Sequence, residues 1–160
     1  MQKIKDRIIL GTIAGIGANL VKEVIAETSV RSGFSKYTCR RMIPLTVLSK
    51  KHAKTWKGWI IGTSTDMAIA GFTGIMLTYT LSYTGTDCAK LKGALISGGI
   101  LDQVFNMFSR VLPEVKKEPN SNLVCKAIHQ IFGATAASII TTLGASSLFR
   151  DDCQLESKKT

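Results

Sequence analysis

The segment 59–83 of this chain reads WIIGTSTDMAIAGFTGIMLTYTLSY, and Asp66 is its only formally charged residue. As an α-helix, the segment would extend ~37 Å at ~1.5 Å per residue, which is enough to cross a hydrocarbon layer of ~30 Å with some tilt. Trp59 stands at one end, and Tyr79 and Tyr83 stand at the other, as in the aromatic belts of a membrane span. The segment therefore predicts a transmembrane helix.

The composition agrees with a membrane location. The 160 residues carry a net charge of +10, which suggests contact with nucleic acid or with an anionic membrane surface. Charged residues make up only 20% of the chain, below the ~25% that is usual for soluble domains. They also crowd into a few segments, which favours a membrane protein. The first apolar run begins at Ile8 without an obvious cleavage site, so we expect it to remain as a span.

We predict an all-α fold, a four-transmembrane-helix bundle in a single domain over residues 1–150 of a multi-pass protein of the cell membrane. The short second and third connections predict antiparallel neighbours. Pro113 should end the third helix, Ser121 or Asn122 should cap the fourth, and residues 151–160 should form a charged, disordered tail. The predicted spans are 8–26, 59–83, 89–112 and 123–149.

The segment 28–57 between the first two spans contains eight Lys or Arg residues and no Asp or Glu. It predicts a basic interfacial loop that lies along the membrane surface with its cations at lipid phosphates. The alternative is a solvated positive loop that only fixes topology. A modest excess of basic residues places the first and third loops in the cytoplasm and both termini outside. The residues expected to contact anionic lipid are Arg40, Arg41, Lys50, Lys51 and Lys54.

Small residues recur at helical spacing in the predicted spans, where they let neighbouring backbones approach closely. The positions expected to pack helices are Gly11, Gly15, Ala18, Gly71, Gly74, Gly133 and Ala137.

A few ionisable and polar side chains fall inside the predicted spans, where a carboxylate costs about 2.5 kcal/mol or more. They could line a polar path for protons or a cation, or they could be hydrogen-bonding groups that fix helix register. Lys22 is expected to lie near the far interface of the first span, with its ammonium group reaching the water. The candidates are Asp66, Asp102, Asn106, Arg110 and His129.

Cys125 and His129 are spaced i, i+4 on one helix face, a spacing that can hold a soft metal ion. Cys39 and His52 share the same side in the predicted topology, but two ligands on a helix are a weak signal, so we expect no metal and no cofactor. Cys88 and Cys153 share the opposite side, where they could pair. The chain shows no phosphate loop, catalytic triad or nucleic-acid module, so we expect neither an enzyme nor a nucleic-acid partner.

Several short stretches resemble small four-helix membrane proteins, of unassigned function, from endospore-forming Gram-positive bacteria. The likeness covers most of the chain and implies a multi-pass membrane location with no known activity. The basic, cysteine-containing first loop departs from it. The stretches are Arg7-Ile8, Ile13-Ala14-Gly15, the span from Trp59 to Thr80, Leu112-Pro113-Glu114 and Phe132-Gly133-Ala134.

Two functions from different classes follow. The first is a non-enzymatic membrane protein that is surrounded by membrane lipids. It acts by packing its helices against copies of itself or against a membrane-protein partner. The second is a transport or channel component that uses the intramembrane ionisable residues Asp66, Asp102, Arg110 and His129. A third and weaker interpretation is a soluble, basic helical protein that binds nucleic acid, which high salt would release from membranes.

Overall fold

The computed structural model describes residues 3–36, 38–111 and 119–149, and this part of the chain is helical. Its only β-type pairing among these residues is an isolated bridge, so the predicted all-α class is confirmed. The helices are α1 (Arg7–Arg31), α2 (Cys39–Val47), α3 (Lys50–Ala53), α4 (Trp56–Thr84), α5 (Ala89–Val111) and α6 (Pro119–Leu143), and a single 3₁₀ turn follows at Ser146–Leu148.

Three helices in the described ranges are long and apolar enough to cross a membrane: α1, α4 and the part of α6 from Asn120 to Leu143. By their length and composition, these three helices support the predicted membrane location. The third expected span forms the helix α5, but α5 does not reach the same apolarity. It carries Lys90 and Lys92 near its start and polar residues toward its end. A fourth span therefore stays a prediction.

The last long helix is shifted relative to the predicted range of 123–149. It begins at Pro119, which suits a first helical position because proline lacks an N–H there, and it ends at Leu143. Ser121 consequently lies inside α6, where its hydroxyl accepts a hydrogen bond from the Lys36 backbone N–H at 3.1 Å. Pro113 and the tail 151–160 lie outside the described residues.

The amino-terminal segment ties the start of α1 to the end of α6. Asp6 caps α1, since its Oδ1 accepts from the backbone N–H groups of Ile8 and Ile9 at 2.8 Å each. Just before it, the Ile4 N–H donates to Leu143 O at 2.9 Å and Ile4 O accepts from Ala145 N at 3.0 Å. The start of α1 and the end of α6 therefore lie together on one side of the helix bundle.

The long helices lie in the spatial order α4, α1, α6, α5. The central helix α1 packs against α4 and α6, whereas α5 packs mainly against α6. The glycine contacts run in opposite chain directions across each of these pairs, so the neighbours are antiparallel. The buried apolar core includes Leu10, Ala14, Ala18, Leu77, Leu81, Phe132, Ala136 and Ile140.

The α5–α6 pair is held at close range by small residues. A Cβ added at Gly133 would lie 2.1 Å from the carbonyl oxygen of Gly93 and 2.6 Å from the Ser97 side chain, closer than real Cβ atoms approach. A Cβ at Gly93 would in turn meet the Ala137 Cβ at 2.7 Å. The backbones of α5 and α6 therefore touch at this crossing.

The segment 28–57 is not the loop that the sequence predicts, since α2 and α3 form within it. Pro44 lies inside α2 and has no N–H to donate to the carbonyl of Arg40 one turn earlier. Gly62 of α4 packs at that carbonyl, where an added Cβ would lie 2.2 Å from Arg40 O. Met42, Ile43 and Pro44 are buried, so α2 is a packed element of the fold.

Candidate functional site: a buried charge cluster between α1 and α4

Glycines bring the backbones of α1 and α4 into contact. A Cβ at Gly15 would lie 2.2 Å from Ala70 O, and a Cβ at Gly74 would lie 2.1 Å from Gly11 O. Gly71 is less tightly packed, since its added Cβ would meet only a Thr12 methyl at 3.8 Å. Because these glycine contacts align α1 with α4, the residues one and two turns further along α1 lie opposite Asp66.

Asp66 lies at the centre of a buried charge cluster, which we define as Asn19, Lys22 and Asp66. The Lys22 ammonium nitrogen lies 2.7 Å from each carboxylate oxygen, and the Asn19 amide donates to Oδ2 at 2.9 Å. Lys22 is 4% exposed and Asp66 is 5% exposed. The ion pair and the hydrogen bond from Asn19 together offset the free-energy cost of removing the two charges from water. Either charge buried without its partner would leave that cost uncompensated.

The location of Lys22 overturns the expectation that its ammonium group reaches the membrane surface. Asp66 is ten residues after the start of α4, about 15 Å along the helix axis at ~1.5 Å per residue. At that depth a carboxylate attracts the cation more strongly than the distant interface does. Lys22 therefore turns inward and bridges α1 to α4.

An ion-pair network extends from the cluster to α2. Lys22 Nζ lies 3.7 Å from Glu23 Oε1, and Glu23 Oε2 lies 3.2 Å from Arg40 Nε. One turn further along α1, Glu27 lies 2.8 Å from Arg41 and 3.5 Å from Arg40. Two of the residues expected to contact anionic lipid thus pair with acidic residues of α1, while Lys50, Lys51 and Lys54 are exposed.

Lys22 and Glu23 also line a small cavity between α1 and α6. Its volume is about 20 Å³, enough for one water molecule and too small for an organic substrate. Cys125 and His129 form the opposite wall, with Cys125 Sγ 3.8 Å from His129 Nδ1. The cavity thus joins ionisable groups of α1 to those of α6, and Lys22 connects it to Asp66.

The predicted pairing of Cys125 and His129 on one face is present. The described residues contain no group of three or more His, Cys, Asp or Glu side chains placed to hold a metal ion. His52 is exposed and its Nδ1 lies 2.8 Å from Ser49 Oγ. The side chain of Cys39 lies outside the described part of the structure.

Two of the remaining intramembrane candidates do not join the cluster. Asn106 and Arg110 are exposed on α5, and the side chain of Asp102 lies outside the described residues. Among the candidates whose side chains the structure describes, Asp66 and His129 are connected through Lys22, which pairs with Asp66 and lines the cavity beside His129. Sequence reasoning missed Lys22 and Glu23 as members of the site. The available signal was that, with Asn19, they are three polar residues close together on an otherwise apolar helix.

The packing residues predicted from sequence lie at contacts within the chain. Ala18 is fully buried, and the glycines of α1 and α4 face each other. These stripes therefore build the fold of a single chain. We compared the chain with family models, with curated proteins and with solved structures, and it matches none of them.

Proposed function

We propose that this chain is a small multi-pass membrane protein that acts without catalysis, by packing with a second copy of itself through the outward face of α5. The observation that carries the proposal is an exposed face, apolar at Leu91 and Leu95 and polar at Gln103 and Asn106, on a helix at the edge of the bundle. Its residues are Leu91, Leu95, Gly99, Gln103 and Asn106.

The face is continuous along the helix. Leu91, Leu95, Gly99 and Gln103 are spaced by four residues, Asn106 follows by three, and all five are exposed. Residues at these spacings share one side of a helix. Since α5 packs mainly on α6, this side points away from the rest of the chain.

A second copy suits this face chemically. Amides such as Gln103 both donate and accept hydrogen bonds, so the same face on a second chain can satisfy them across a twofold axis. Interhelical hydrogen bonds of this kind contribute about 0.6 kcal/mol each on average in membrane proteins. Gly99 has open space where a Cβ would be, which allows close approach of another helix backbone.

The small-residue stripes do not support self-association. Gly11, Gly15 and Gly74 hold α1 against α4, and Gly133 holds α6 against α5. A surface already used inside one chain cannot also bind a second. The α5 face is therefore the stronger basis for the proposal.

The test is a Gly99→Leu variant, with Ala68→Leu as the matched control. Both positions are exposed, but Ala68 is on α4. We expect the parent protein to be a dimer by light scattering in a mild neutral detergent. Gly99→Leu should weaken dimerisation at least ten-fold because the added side chain blocks the approaching helix, and Ala68→Leu should leave it unchanged.

Two results would count against the proposal. One is a monomeric parent protein that also fails to crosslink with itself in membranes. The other is a dimer that Gly99→Leu leaves intact. If the protein instead forms a stable complex with a different membrane protein, and Gly99→Leu loses that complex, then the α5 face is still the binding surface but its partner is not a second copy.

A second candidate function has its own observation in favour, the cavity that joins Lys22 and Glu23 to His129 beside the buried Asp66. Groups of this kind inside a membrane commonly serve ion or proton movement. The test is proton flux into vesicles that contain the purified protein. Transport predicts flux in the parent that His129→Gln abolishes without affecting dimerisation, whereas a purely structural cluster predicts no flux in either.

A further inference from the structure

The start of α4 forms a cavity with α2 and α3 that is separate from the charge cluster. Its volume is about 650 Å³. This is far larger than an inorganic phosphate and within the ~300–1,000 Å³ that is typical of small-molecule sites. The lining residues that matter here are Lys36, Arg40, Arg41, Lys54, Leu45 and Trp59.

The cavity is positively charged. It is lined by four basic side chains, and none of the described lining residues is acidic. Glu23 and Glu27 neutralise part of the charge of Arg40 and Arg41 from the α1 side. Lys36 and Lys54 add further positive charge at the rim, so the cavity attracts an anion.

The amino terminus of α4 adds to this field. Thr55 precedes the helix, and its hydroxyl donates to His52 O at 2.6 Å instead of bonding to the helix. Thr55 and Gly58 both line the cavity, so the positive end of a long helix dipole borders it. Anionic oxygens bind well in such a position when cationic side chains also surround them.

The cavity also has an apolar side. Trp59 is 57% exposed, and the Arg40 guanidinium lies 6.0 Å from the centre of its ring. Leu45 and Pro44 line the same wall. Tryptophan at the start of a membrane span lies at the level of the lipid headgroups, so a charged head and an acyl chain can be accommodated together.

We propose that this cavity binds the headgroup of one anionic phospholipid, with the phosphate against Arg40, Arg41 and Lys54 and an acyl chain beside Trp59. The proposal requires the membrane location but does not require the α5 dimer. It also divides the basic residues of the segment 28–57 into those that line the cavity and those that do not. Lys50 and Lys51 are exposed in the same segment and do not line the cavity.

The experiment uses tryptophan fluorescence. The chain has two tryptophans, so Trp56→Phe leaves Trp59 as the only one. The full-length protein is placed in phosphatidylcholine vesicles that contain a minor fraction of brominated phosphatidylglycerol or of brominated phosphatidylcholine. We expect Trp59 to be quenched more strongly by the brominated phosphatidylglycerol, because that lipid occupies the cavity beside it.

The deciding comparison is between two double variants that remove the same charge. Lys36→Gln with Lys54→Gln should lower the preference for phosphatidylglycerol about five-fold per lysine, since each basic side chain near the surface contributes about 1 kcal/mol. Lys50→Gln with Lys51→Gln should change it little. Lys54→Gln alone, at an exposed position, serves if the first pair does not fold.

Three results would overturn the proposal. Equal loss in both double variants would mean diffuse attraction to the loop, and no lipid preference in the parent protein would mean no site. Relief of quenching by inorganic phosphate at moderate concentration would assign the cavity to a soluble anion. Repeating the measurement in Gly99→Leu separates these outcomes from a failure of the dimer.

Discussion

At the scale of single residues, the pairing of Lys22 with Asp66 most strongly constrains the structure. Two charges with exposures near 5% contact each other at 2.7 Å between helices that are distant in sequence. Asp66 could be identified from sequence because it is the only charge in its span. Lys22 could not be assigned as its partner, because the register of α1 against α4 depends on glycine contacts that only the folded chain defines.

The first prediction concerns this pair. Asp66→Asn should destabilise the folded protein by about 3–5 kcal/mol because it leaves the Lys22 charge buried and uncompensated. Lys22→Met should cost a similar amount, while Lys22→Met with Asp66→Leu should recover most of the loss because neither charge remains. Thermal unfolding in detergent, followed by a thiol-reactive dye, measures all three. A single-variant cost below about 1 kcal/mol would mean that the pair does not hold α1 to α4.

The second prediction concerns Asp87 in the turn between α4 and α5. The Lys92 ammonium group lies 3.0 Å from Asp87 Oδ2, and this hydrogen bond lowers the pKa of Asp87 below its usual value of 3.8. Because the pKa of Asp87 is lowered in the folded state, its ionised carboxylate stabilises the turn at pH values above the usual pKa. This contribution to stability is lost as the pH falls through the pKa of the folded state. Lys92→Gln should raise the pKa of Asp87, as followed by carboxyl chemical shifts. An unchanged pKa in that variant would exclude Lys92 as the cause.

At the scale of helices, the sequence identifies the long elements and misses the short ones. The predicted spans 8–26 and 59–83 lie within α1 and α4, because long apolar runs force a helix in lipid. The segment 28–57 looked like a loop because Pro44 interrupts its apolar patch. Instead, Pro44 lies inside α2, and Gly62 of α4 packs against the carbonyl to which that proline has no N–H to donate, a contact from outside the segment.

The third prediction distinguishes two glycines in the same helix interface. Gly15→Ala should destabilise the protein by about 1–3 kcal/mol, since its Cβ would lie 2.2 Å from a backbone carbonyl oxygen that cannot move alone. Gly71→Ala should cost little because its nearest neighbour is a methyl group at 3.8 Å. Unfolding of the two variants in the same detergent provides the measurement. Equal effects would contradict the close packing of α1 on α4.

At the scale of the whole molecule, the amino terminus, the α4–α5 turn and the end of α6 share one side, and α2 and α3 share the other. The excess of basic residues predicts that the α2–α3 side faces the cytoplasm. In intact cells, a membrane-impermeant maleimide should label Cys88, which is exposed in the α4–α5 turn. A Lys51→Cys variant of a cysteine-free chain should remain unlabelled until lysis. The opposite pattern would invert the protein in the membrane.

The most direct test of the account is disulfide crosslinking in membranes. In a cysteine-free chain, Leu95→Cys places a thiol on the α5 face, and Phe72→Cys places one on α4 at a matched exposure of 64% against 62%. We expect mild oxidation to convert the Leu95→Cys protein to a covalent dimer and to leave the Phe72→Cys protein monomeric. Crosslinking of both, or of Phe72→Cys alone, would contradict assembly through α5.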